Sequence, residues 1–182
     1  MFPSHDPRGD TTSFGFLINT LSTNEIRITF THAALGTSAW HHLCYTYDGS
    51  SAAAGLKFYL DGTEVTNRTI NFDTLSASIV NTDPMGIGGP PTLPTTLPMP
   101  GNIDEATVWN VELTAAEVSE LYNSGKPGKP TVHSKETTSP GSLVSYWKMG
   151  DGDTFPTITD QVASNDGTMT NMEAADIVDD VP

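Results

Sequence analysis

Between Trp40 and Gly62 the chain reads W-H-H-L-C-Y-T-Y-D-G-S-S-A-A-A-G-L-K-F-Y-L-D-G. Trp40 to Asp48 is rich in aromatic and β-favouring residues. Successive strand side chains point to opposite faces. Leu43, Tyr45 and Tyr47 therefore share one face, and Cys44 and Thr46 share the other. After a run of small residues, Leu56, Phe58 and Leu60 alternate with Lys57 and Tyr59. Asp61-Gly62 closes the second strand, because a two-residue hairpin turn needs both residues at positive φ. Two adjacent antiparallel strands are thus expected here, and the rest of the fold must accommodate them.

The flanking segments agree with a sheet-rich chain. Phe14–Asn19 and Glu25–Thr31 are predicted strands; in the second, Ile26, Ile28 and Phe30 face one way while Arg27, Thr29 and Thr31 face the other. Thr63–Val65, Thr69–Phe72 and Asn102–Asn110 are further strand candidates. Residues Gly89 to Gly101 contain five prolines, which supply no N–H and fix φ, so a stiff excursion is expected rather than a strand or helix. One helix is predicted. Thr114 is its N-cap, Glu117 completes a capping box, and Leu113 and Val118 form a hydrophobic staple. Val118, Leu121 and Tyr122 are its buried stripe, and Gly125 is the expected stop. Residues 126–141, K-P-G-K-P-T-V-H-S-K-E-T-T-S-P-G, have the composition of a linker. Residues 142–182 open on an apolar strand, L-V-S-Y-W-K-M. From Gly150 onward they carry no basic residue and eight acidic ones.

W-H-H-L-C-Y-T-Y-D-G followed by L-K-F-Y-L-D-G-T-E-V resembles the central hairpin of laminin-G-like modules in the concanavalin A-like lectin/glucanase superfamily. The block from Gly86-Ile87-Gly88-Gly89 through G-N-I-D-E-A-T-V-W-N-V-E-L-T-A-A-E-V-S-E-L-Y, ending at Tyr122, is similar to that family's last strand and closing helix. The resemblance implies an all-β fold: an antiparallel two-sheet jelly-roll sandwich with one short closing helix. It implies a sandwich over residues 1–125 with its early strands missing, a linker over 126–141, and an acidic segment over 142–182. That last segment, L-V-S-Y-W-K-M-G-D-G-D-T-F-P-T-I-T-D-Q-V-A-S-N-D-G-T, resembles the opening of a laminin-G-like domain displaced to the C-terminus. Its strand is expected to complete this sandwich or a neighbouring copy's. The segment is also similar to tails of laminin-G-like proteins of marine phages.

Composition narrows the function. The 182 residues include 8 basic and 22 acidic ones, a net charge of −14. A surface of that sign repels phosphate, which excludes nucleic acid as the natural partner, and it disfavours anionic lipid. No apolar run is long enough to span a bilayer. The N-terminus has neither the basic start nor the apolar middle of a signal peptide. The lone cysteine, Cys44, allows no intrachain disulfide and is expected to pack as a small strand residue.

Candidate sites follow from the resemblance and from spacing. Related glycoside hydrolases carry E-x-D-x-E or E-x-D-x-x-E on one strand, so that alternate carboxylates line a cleft. No such triplet occurs, and Asp104-Glu105 are adjacent, so no catalytic residue is assigned and no enzyme is expected. The family's aspartate at the position of Asp104 helps hold a structural calcium ion, which makes Asp104 the candidate ligand; Asp151 and Asp153, in a D-G-D turn, are the others. Ca2+ is the one cofactor considered. His41 and His42 are adjacent, so they cannot both ligate one ion. Trp40, Trp109 and Trp147 are core candidates, while Tyr45, Tyr47 and Tyr59 are the rings considered for stacking on a sugar. Arg8-Gly9-Asp10 and the sequon Asn67-Arg68-Thr69 are read as a polar lead-in loop and a surface strand.

The expected function is a non-catalytic structural or adhesive surface module, a decoration, fibre or tail component of a phage virion. A carbohydrate-binding, lectin-like module, calcium-dependent or not, is the alternative, and a glycoside hydrolase the third reading. Expected partners are further copies of the chain, another virion or surface protein, or glycans. The expected location is extracellular or on the virion surface.

Overall fold

The computed structural model describes residues 12–20 by their backbone, and residues 23–33, 39–80, 84–89, 101–125 and 129–178 in full. Arg8-Gly9-Asp10 and the proline-rich stretch from Pro90 to Pro100 lie outside the described residues. The chain forms two compact units, Met1–Pro100 and Gly101–Pro182. This division precedes Asn102, whereas the sequence predicts a boundary at 125. The reason lies in strand pairing, described below for the second unit.

The first unit has two antiparallel sheets. Strands β1 (Thr12–Thr20), β2 (Asn24–Thr31) and β6 (Arg68–Asp73) make one, in the order β1-β2-β6. Strands β3 (Leu43–Tyr47), β4 (Leu56–Leu60) and β5 (Thr63–Glu64) make the other, in sequence order. The β3–β4 register pairs Tyr45 with Phe58 and Leu43 with Leu60. Asp61 (φ 50°) and Gly62 (φ 74°) both take positive φ between β4 and β5, as the Asp-Gly turn requires.

The alternation in β2 and β4 becomes the core. Ile26, Ile28, Phe30, Leu56 and Phe58 are fully buried in one cluster with Ala53 and Leu75. Leu43, Tyr45, Tyr47 and Leu60 pack against it. Phe30 and Phe58 rings lie 5.6 Å apart, and Tyr45 stacks on Phe58 at 4.7 Å. The inner faces of two sheets thus share one apolar layer, which is a β-sandwich. Two polar bonds tie the sheets together: Arg68 donates to the Leu56 carbonyl at 3.0 Å, and the Ala53 N–H donates to Asp73 at 2.7 Å.

In the second unit, β7 (Ala106–Trp109) pairs antiparallel with β8 (Leu143–Trp147). The apolar strand near the C-terminus therefore pairs within its own chain, which is why β7 and α1 group with residues 142–178 rather than with the first hundred. Helix α1 (Ala115–Tyr122) has the expected capping box at Thr114 and Glu117. Leu113, Val118 and Leu121 are buried. It stops two residues earlier than Gly125 suggests, because Asn123 takes the left-handed conformation (φ 45°, ψ 42°) and caps it. The expected linker is ordered structure: a 3₁₀ turn at Pro130–Val132, then α2 (Ser134–Thr138). Strands β9 (Thr157–Ile158) and β10 (Gly167–Thr168) form a small hairpin. No helix among the described residues is long and apolar enough to cross a membrane.

Candidate functional site

The open end of the β3–β4 hairpin is built around one carboxylate. Asp61 Oδ1 accepts the His42 N–H and Oδ2 accepts His41 Nδ1–H, both at 2.9 Å. The Asp61 N–H donates to the His42 carbonyl at 2.9 Å. The residue that turns β4 into β5 thus also fixes the residues leading into β3. Burial pushes the His42 imidazole below its ordinary pKa, against the opposing pull of Asp61. His41 Nε2 is buried and meets no hydrogen-bond partner among the described residues. Beside it Trp40 is 37% exposed. Trp40 is therefore not the core residue its composition suggests, while Trp147 is buried and Trp109 half-buried. The tyrosines considered for stacking are otherwise engaged. Tyr59 is buried, Tyr45 lies on Phe58, and the Tyr47 hydroxyl accepts the Ser51 N–H at 2.6 Å. An exposed indole, one residue before a polar His–Asp pair, can stack on the apolar face of a sugar ring and donate its N–H to a hydroxyl. Cys44 adds no nucleophile, since burial pushes its thiol up to about 12.

The second unit carries an acidic group around Tyr146. Its hydroxyl donates to Glu105 Oε2 at 2.5 Å. Burial foremost, then the Glu105 bond and the charges of Glu105, Asp104 and Asp151, drive that hydroxyl well above its ordinary pKa. Asp104 and Glu105 precede β7 rather than lying in it, and Glu105 sits at φ 54°. Strand alternation therefore does not separate them. Asp104 Oδ1 accepts the Glu105 N–H at 2.9 Å. Asp151 is exposed. Asp153 is turned into its own loop, accepting the Gly150 N–H at 3.1 Å and the Thr159 N–H at 2.9 Å. Calcium needs roughly six to eight oxygens. The charges of Asp104 and Asp151 both act on the Tyr146 hydroxyl. Among the described residues no group of three or more His, Cys, Asp or Glu side chains is placed to hold a metal ion.

Most acidic side chains of this unit instead hold backbone. Asp160, buried, accepts the N–H groups of Tyr146 and Val162 at 3.0 Å. Burial raises its carboxyl, but these N–H bonds outweigh that and bring it to about 2. Glu136 accepts from Leu143 at 2.6 Å and Gly141 at 3.0 Å, and those bonds hold it below its ordinary value. Glu120 binds Ser134 through both hydroxyl and N–H, and Glu117 pairs with Lys135 at 2.9 Å. Between them the buried His133 donates from Nε2 to the Glu117 carbonyl at 2.8 Å and accepts the Lys135 N–H at Nδ1. None of these long-range catches is signalled by spacing. Only the Thr114–Glu117 box was visible in sequence.

A family model, Laminin_G_3 of the concanavalin A-like lectin/glucanases superfamily, matches residues 5–119. The match runs from before β1 into α1. No curated protein and no solved structure matches the chain.

Proposed function

We infer the role from one premise: this chain belongs to the concanavalin A-like lectin/glucanases superfamily. We propose a non-catalytic, adhesive surface module of that superfamily, serving as a decoration, fibre or tail component of a virion. Fold alone does not decide between lectin, adhesin and hydrolase. The observation that favours adhesion is the employment of the carboxylates. Asp61, Asp153, Asp160, Glu117, Glu120 and Glu136 accept N–H groups of the chain itself. Acid–base work on a glycosidic bond requires a carboxyl pair facing a cleft. Incubation with laminarin-type and marine polysaccharides tests this reading: no release of reducing sugar is expected, and sustained release above the rate of the heat-denatured protein overturns it. Particle assembly is expected to be reflected in self-association, measured as solution mass by light scattering.

A second reading, carbohydrate binding, is favoured by Trp40, an exposed ring beside the His41–Asp61 pair. A glycan array run with and without chelator tests it. Binding lost in Trp40→Ala and unchanged by chelator is expected, and no binding to any glycan class sinks it.

A further inference from the structure

The chain contains Asp-Gly at 48–49, 61–62, 151–152 and 166–167. We propose that Asp151–Gly152 is a modification site, where the native protein forms isoaspartate in preference to the other three.

The chemistry is intramolecular. The Gly152 nitrogen attacks the side-chain carbonyl carbon of Asp151 and a new C–N bond forms. The carboxyl takes a proton from solvent, and its hydroxyl leaves with the amide proton as water, giving a cyclic imide. Water then adds back at either carbonyl. Opening at the main-chain carbonyl leaves the backbone running through the former side chain, with a free α-carboxylate. Water is the only co-reactant. The step needs a carboxyl free to swing onto the next nitrogen, an N–H not held in a ladder, and a following residue without a side chain.

Three of the four sites fail these requirements. Asp48 Oδ1 is held by the Ser50 N–H at 2.9 Å, two residues on. Asp61 has both oxygens bound, by His42 and His41. Asp166 Oδ1 is bound by the Asp160 N–H at 2.9 Å, and Gly167 is locked in β10 opposite Ile158. Asp48–Gly49 shares the exposure and the open, positive-φ glycine, so the state of the carboxyl is what sets Asp151 apart. It is exposed, and its carboxylate accepts no hydrogen bond among the described residues. It stands at the tip of a turn closed by the Asp153 N–H to the Gly150 carbonyl at 3.0 Å. That bond uses neither the Asp151 carboxyl nor the Gly152 N–H. Gly152 has φ 81°, and nothing lies within 4 Å of where its Cβ would be. The turn therefore has room to deform toward the imide. The product would be a substrate for carboxyl methylation by an S-adenosylmethionine-dependent isoaspartyl methyltransferase, which gives the readout.

The test is incubation of the native full chain at neutral pH and physiological temperature, with a parallel sample unfolded in urea. Isoaspartate is then measured peptide by peptide, by methyl transfer and by chromatographic separation of isomers. In the native sample, the peptide holding Asp151 is expected to exceed each of the other three several-fold, while in urea the four converge. Asp151→Glu, which disfavours the five-membered imide at an exposed position, is expected to remove most of the native signal. Equal accumulation at the four native sites, a leading site other than Asp151, or an unchanged total in Asp151→Glu overturns the proposal. So does absence of native isoaspartate over the time in which the unfolded chain accumulates it.

Discussion

In the first unit Ile26, Ile28 and Phe30 of β2 meet Leu56 and Phe58 of β4, and the sheets are joined by apolar area. In the second unit β7 and β8 form a two-stranded pair. Around that pair Asp160, Glu136, Glu120 and Glu117 grip N–H groups of segments with little regular structure. Apolar burial is non-directional and scales with area. Carboxylate-to-backbone bonds are directional, few, and conditional on the carboxylate being ionised. Both units use both kinds of contact, but the first leans more on packing that acid leaves intact, and the second more on contacts that acid removes.

The largest effect is expected from breaking the first arrangement. Phe58 touches Phe30, Tyr45 and His32. Phe58→Ala would leave a cavity among three rings, at a cost of about 3–5 kcal/mol. Denaturant unfolding followed by circular dichroism should show the midpoint fall accordingly. A loss under about 1 kcal/mol would mean that the shared layer is not what holds the sheets.

The counterpart in the second unit is Asp160→Ala, which strands the Tyr146 and Val162 N–H groups. Hydrogen bonds to a charged group are worth about 1.5–3 kcal/mol, and the loss should fall in that range. Its pH dependence gives the sharper comparison. The folded carboxyl is depressed from 3.8 to about 2. Its contribution is thus fully present above the unfolded value and is lost as pH falls from about 4 toward 2. Glu117, Glu120 and Glu136 are shifted the same way. In a Trp40→Phe variant, emission from Trp109 and Trp147 should change over that acid range before β2 and β4 lose protection from hydrogen exchange. Simultaneous loss in both units would contradict the contrast.

The same contrast explains what was legible in the sequence. The β2 and β4 alternation and the Asp-Gly turn are local patterns, and each appears in the structure where it was read. Residues 126–141 have the composition of a linker, with Lys, Pro, Gly and Ser dominant, yet Pro130 and His133 are buried. What orders them is a set of partners such as Glu120 and Ser134, fourteen residues apart, which no periodicity encodes. The rings failed for a related reason. Period-2 alternation assigns a residue to a face but not what covers the face. Trp40 is exposed, while Tyr59, on the face opposite Phe58, is buried. At the candidate calcium residues, Asp104, Asp151 and Asp153 could be named individually. Whether they converge depends on the Glu105 backbone at φ 54° and on the inward turn of Asp153.

A smaller effect tests a steric detail of the first unit. A Cβ on Gly55 would fall 1.9 Å from Asp48 Oδ1. Gly55→Ala must displace Asp48 from its bond to the Ser50 N–H, or move the turn that delivers Leu56 to the core. The cost should be about 1–2 kcal/mol, in the lower part of the range for overpacking. It should be partly relieved in the double variant with Asp48→Ala, since the two nearest clashing atoms are then gone and only Ser50 Oγ, at 2.7 Å, remains. Strict additivity would place the strain elsewhere in the turn.

The smallest effect belongs to the one feature of the second unit that is local enough to read directly. Thr114 accepts the Glu117 N–H, and Glu117 Oε2 accepts the Thr114 N–H at 2.7 Å. Glu117 also meets Lys135, so the helix cap is the near end of the contact set that orders residues 130–138. Thr114→Ala should cost about 1 kcal/mol as an isolated cap loss. Because its partner carboxylate also holds Lys135, hydrogen exchange should rise in α2 as well as in the first turn of α1. Thr114→Ser keeps the oxygen and should restore protection in both places. If exchange rises in α1 alone, α2 is ordered by Glu120, Glu136 and His133 without help from the cap.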